Sequence, residues 1–172
     1  MRTTLSRLLL TALTVAAFAG LTTSASAASW GNEHAKVRAY LGHIGITDHE
    51  GSGNHEYKQY KFDGRVFGKL SPTSLSFKAS PAYCAGDEVR VHVVVTGQTW
   101  VNDRTMKVTA QLVMYEGASC NSDDLDGVSA PITFNMQPGD MATKYLHVDN
   151  TDEGGDWAGA WITFEALKGV GV

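Results

Sequence analysis

Between Val89 and Thr96 the side chains alternate without a break: Val89, Val91, Val93 and Val95 fall on one face, and Arg90, His92, Val94 and Thr96 on the other. A period of two puts an apolar row along one side of an extended strand, and β-branched residues suit that half-buried pleated surface. A second run repeats the pattern, with Met106, Val108, Ala110, Leu112 and Met114 set against Lys107, Thr109, Gln111, Val113 and Tyr115. Joined across Gly97 to Arg104, the two runs predict an antiparallel hairpin at the heart of a β domain.

That hairpin brings Cys84, just before its first strand, and Cys120, just after its second, to the same end, where a disulfide can reach. These are the only two cysteines in the chain. No CxxC spacing favours a redox thiol. If the bridge closes without strain, it removes about 4 kcal/mol of denatured-state freedom. An oxidising compartment is implied independently by residues 1–27. Arg2 and Arg7 form a positive head, Leu8 to Leu21 is apolar, and Ala25-Ser26-Ala27 offers the small side chains of a signal-peptidase site. The pattern predicts a cleaved signal peptide and a secreted protein.

The remaining alternations extend the same architecture. Leu75, Phe77 and Ala79 share a face between two Ser-Pro pairs, Ile132, Phe134 and Met136 run into the turn Gln137-Pro138-Gly139-Asp140, and strands are expected over 143–149 and 157–167. The fold class expected is therefore all-β, an antiparallel two-layer sandwich of immunoglobulin-like type with one disulfide. Residues 28–56 mix His, Asp, Glu and Gly and end in the breaker cluster 50–54, so they are expected to form an extended, mobile N-terminal arm ahead of a sandwich domain at 57–172. The segments 36–47 and 59–67 are the candidate edge strands.

Without its leader the chain would carry 12 basic and 18 acidic residues, a net charge of about −6, which argues against nucleic-acid partners because phosphate binding depends on clustered Lys and Arg. No second apolar run approaches the roughly 18 residues that cross a bilayer, so no membrane partner is expected after cleavage. Absence of a GxSxG elbow, and carboxylates confined to loop-like segments, argue against an enzyme. No HExxH or Cys/His ligand spacing marks a metal site and no cofactor is expected. Asp123, Asp124 and Asp126 before Gly127, and Asp149 to Asp156, are read as solvated turns, with calcium as the competing reading.

Candidate recognition residues come from two places. In the last strand Ala158, Ala160, Ile162, Phe164 and Ala166 share one face, while Trp157, Gly159 and Trp161 share the other. Two indoles about 13 Å apart with a glycine between them form a platform for a sugar ring or an apolar side chain, unless other parts of the chain fold over them. In the arm, Val37, Ala39 and Leu41 supply an alternating series that could add a strand to a partner's sheet, and Trp30 is a further candidate contact.

The Thr- and Ala-rich leader with a single-disulfide sandwich resembles the small exported proteins of filamentous actinobacteria, among them the adaptor subunits of umbrella toxin particles, which join a lectin-bearing subunit to a toxin scaffold. That likeness is one of style and transfers no site residue. It implies an adaptor, and the expected function is a secreted, non-catalytic interaction module that docks another secreted protein through its arm and its aromatic patch. The alternatives are a carbohydrate-binding or calcium-dependent adhesive module, and a protease inhibitor or small hydrolase. The inhibitor reading would need Tyr83-Cys84-Ala85 as a rigid exposed loop.

Overall fold

A computed structural model describes residues 35–50, 54–71, 73–99, 105–151 and 155–168. Residues 1–27, expected to form a signal peptide, and Trp30 lie outside these. Every regular element among the described residues is a strand: β1 (Ala35–Glu50), β2 (Asn54–Lys61), β3 (Val66–Leu70), β4 (Ser76–Ala79), β5 (Ala82–Ala85), β6 (Val89–Gln98), β7 (Met106–Glu116), β8 (Asp124–Val128), β9 (Ile132–Met136), β10 (Met141–Asp149) and β11 (Trp157–Lys168). They form two packed antiparallel sheets. The first runs β10-β11-β1-β2, with β3 continuing the edge beside β1. The second runs β4-β6-β7-β8, with β5 continuing one edge beside β6 and β9 the other beside β7.

The predicted hairpin is present, with Val91 opposite Met114 and Val95 opposite Ala110. Every inward residue of that pair is fully buried, as are Ala158, Ala160, Ile162, Phe164 and Ala166 across the core. Phe67 and Phe134 pack on Phe164 at ring-centroid distances of 5.7 and 5.2 Å, filling the space the small alanines leave. The turn at 137–140 also forms. Gly139 takes a φ of 93°, and Asp140 N–H donates to the Gln137 carbonyl at 3.0 Å. Such a left-handed position after proline is open to glycine at little cost.

Strand order is that of a meander. Residues 76–136 build the second sheet in sequence, and β11 returns to pair with β1 along twelve positions. An immunoglobulin domain instead interleaves its two sheets through Greek-key connections.

The expectation of a mobile arm is corrected for residues 35–50 and 54–56. β1 sits inside the first sheet with both edges used, on β11 along one side and on β2 and β3 along the other. Val37 and Ala39, expected at a partner interface, are core residues exposed by 1% and 0%. A β-bulge between Ala39 and Leu41 explains the error. The extra residue, Tyr40, reverses the phase, so Ala35, Val37 and Ala39 point inward before it and Ile44 and Ile46 after it. Leu41, which looked like the third member of one apolar row, is turned to the outer face and lies exposed. Of the two candidate edge segments, 36–47 is central, whereas 59–67 does contribute to the edge through β2 and β3.

Candidate functional site: the aromatic outer face of the first sheet

Three cross-strand rows define this face. Tyr145, Trp161, His43 and Lys61 stand side by side on β10, β11, β1 and β2. His147, Gly159, Gly45 and Gln59 form the next row, and Asp149, Trp157, Thr47 and Tyr57 the third. Two adjacent glycines therefore occupy the middle of the face. They are covered from both sides. The hydroxyl end of Tyr57 lies where a side chain on Gly45 would project, and the Tyr145 hydroxyl lies 2.9 Å from the corresponding position on Gly159. A side chain at either glycine would push a tyrosine away from the sheet.

The rings run on without a gap. Centroid distances are 4.8 Å from Trp161 to Tyr145, 6.1 Å from Tyr145 to His147, 5.9 Å from His147 to Trp157 and 6.3 Å from Trp157 to Tyr57. Successive planes differ by only 21–39°, so no ring stands edge-on to the next. Trp161, Tyr145 and Tyr57 are 50%, 46% and 56% exposed, and Trp157 is half-buried. His147 is fixed by Asp149, whose Oδ1 lies 2.9 Å from Nε2, and its Nδ1 lies 3.3 Å from the Tyr145 hydroxyl. The face encloses a recess of about 180 Å³ lined by His43, Gly45, Tyr57, Tyr145, Trp157, Gly159 and Trp161. A second recess of about 350 Å³, lined by Leu41, Gly42, His43, Gln59, Lys61 and Asp63, adjoins it at His43.

Trp157 and Trp161 thus share a face as their spacing predicted. Tyr57, Tyr145, His43 and His147 complete it but were not among the predicted residues. Tyr145, His147 and Asp149 do alternate along β10, yet only strand register reveals that Tyr145 lies beside Trp161 while Tyr57 reaches the same patch from β2.

Other candidates serve different ends. The Cys84–Cys120 disulfide is formed, with Cα atoms 6.1 Å apart. Arg90 reinforces it by donating to the carbonyls of Cys120 and Ser122 at 3.2 and 2.7 Å and to Asp123 at 3.0 Å, while its guanidinium lies 4.8 Å from the centre of the Tyr115 ring. Beside the bridge is a recess of about 320 Å³ that reaches His92. Ser80 Oγ lies 2.9 Å from His92 Nδ1, but Nε2 is buried without a hydrogen-bond partner, so no carboxylate orients the ring as a hydrolytic triad requires. Burial, with the charge of Arg90 adding to it, holds the pKa of His92 below the usual imidazole value.

Tyr83-Cys84-Ala85 belongs to β5 and is not a loop. Asp124 and Asp126 belong to β8, and Asp126 is buried; Asp156 is buried and accepts the His49 amide at 2.5 Å. Among the described residues no group of three or more His, Cys, Asp or Glu side chains has metal-binding geometry, and no helix is long and apolar enough to cross a membrane. The chain matches no family model, no curated protein and no solved structure.

Proposed function

We propose that this protein is a secreted, non-catalytic binding module that recognises its partner with the outer face of the first sheet. One observation carries the reading: five rings, Trp161, Tyr145, His147, Trp157 and Tyr57, form an unbroken, solvent-facing series on a rigid strand scaffold. Aromatic side chains supply large contact area with little rotamer entropy to lose, which is why they dominate recognition surfaces. The leader pattern and the closed disulfide support an extracellular setting. Docking by strand addition from residues 35–50 has no support, since both edges of β1 are already paired.

The experiment compares wild-type protein with a Trp157→Ala/Trp161→Ala double variant, each immobilised and exposed to culture supernatant and cell-surface extract. Wild type should retain a partner that the variant loses while both remain folded by circular dichroism, since exposed Trp161 and half-buried Trp157 both lie outside the core. Equal retention by both would refute the reading.

A further inference from the structure

We infer that the ligand of this face is a neutral polysaccharide chain lying across the sheet from the aromatic recess into the polar one, an inference that rests on the proposed binding role of the face. The depth of the site is the first reason. At about 180 Å³ the aromatic recess is smaller than the roughly 300–1,000 Å³ of pockets that engulf a small molecule, so a ligand here must gain its contacts by extending along the surface. A route for extension exists, because the second recess of about 350 Å³ meets the first at His43.

Ring orientation is the second reason. Aromatic anchors at protein interfaces protrude and fill pockets on the partner. Here the two tyrosines lean low over Gly45 and Gly159, and the tilts between neighbours stay small. Such a surface offers ring faces, and a π face carries partial negative charge. The C–H bonds on one side of a pyranose ring are a matching partner, while the hydroxyl groups at its rim need donors and acceptors close by. Those are present at each step: His147 with Asp149 at one end, His43 at the junction, and Gln59, Lys61 and Asp63 in the second recess.

Charge is the third reason. The second recess holds one lysine, Lys61, and one aspartate, Asp63, and the one carboxylate in the three rows, Asp149, is engaged by His147. An anionic polymer would meet no cationic row and a cationic one no run of free acids. A neutral chain needs neither.

The test is affinity electrophoresis of the secreted protein through gels containing cellulose derivatives, β-1,3-glucan, xylan, mannan or soluble chitin, with pectin and heparin as anionic controls. At least one neutral polymer should retard wild type and shift its tryptophan fluorescence. Trp161→Ala and Tyr145→Ala should each weaken that binding about tenfold or more, the loss of one stacking anchor. Leu125→Ala, an exposed apolar change on the second sheet, should leave it unaltered, and circular dichroism confirms that each variant is folded. No retardation by any neutral polymer, retardation by the anionic polymers alone, or binding indifferent to both aromatic substitutions would overturn the inference. If the neutral polymers fail while the double tryptophan variant still loses a captured protein, the face binds protein and only the saccharide assignment falls. If capture is lost in neither experiment, the binding role falls with it.

Discussion

The two sheets are built alike, each with a long central pair flanked at the edges by shorter strands, yet their outer faces differ in kind. On the first, Trp161, Tyr145, Tyr57, Tyr40, Leu41, Met141 and Val66 are exposed. Among the described residues the second contributes only Leu125 and Val128 to the exposed large apolar residues. Its outer rows mix Arg90, His92, Thr96, Thr109 and Gln111 with Val94, Val113 and Tyr115, all three partly buried, and it carries the disulfide and the Arg90 contacts that tie down the loop at 117–123. The architecture permits either face to be open or fastened. Side chains alone leave aromatic rings open to solvent on one and place covalent reinforcement on the other, and the division of roles proposed for them can be tested.

The largest effect should come from the reinforced face. Cys84→Ala/Cys120→Ala should lower unfolding free energy by about 4 kcal/mol in urea titrations, because the denatured chain regains the freedom the bridge removes. A loss below about 1 kcal/mol would mean that the Arg90 contacts already hold the loop and the staple is redundant. Arg90→Met removes charged hydrogen bonds to Cys120, Ser122 and Asp123 and should cost about 2 kcal/mol by the same measurement.

On the open face, stability and binding should separate. Gly45→Ala places a methyl group where the end of Tyr57 lies. That side chain is exposed and can swing away, so stability should change by no more than about 1 kcal/mol. Ligand binding should fall nonetheless, since the ring no longer lies flat. A variant that binds like wild type would remove the glycine floor from the account. The smallest effect concerns pH. His92 has a folded pKa below its unfolded value of about 6.5, so its contribution is complete above that value and is lost as pH falls through the folded pKa. Stability should decline slightly between about pH 7 and 5, and less so in His92→Asn.

The second sheet was the more legible of the two in the amino-acid sequence for a physical reason. β6 and β7 keep strict alternation and are neighbours in sequence, so pattern and proximity agree. β1 hides its register behind the bulge at Tyr40 and a run of polar outer residues, and its main partner, β11, lies at the other end of the described chain. β8 escaped notice because Asp124 and Asp126 resemble a turn, although Gly127 packs against the Asp149 backbone and β8 pairs with β7. Two of the six rings of the aromatic face, Trp157 and Trp161, could be read from the Trp157-Gly159-Trp161 spacing. The rest comes from three other strands, and no local pattern specifies which of their residues will be neighbours.

The pairing of β1 with β11 also sets an order of events. Residues 76–136 can assemble the second sheet from contacts between successive strands, whereas the centre of the first must wait until β11 is available to meet β1. Closing so long a loop is slow compared with forming a hairpin. The surface that carries the five rings should thus be the last to be completed, with amides of β1 and β11 gaining protection after those of β6 and β7 in pulse-labelled refolding.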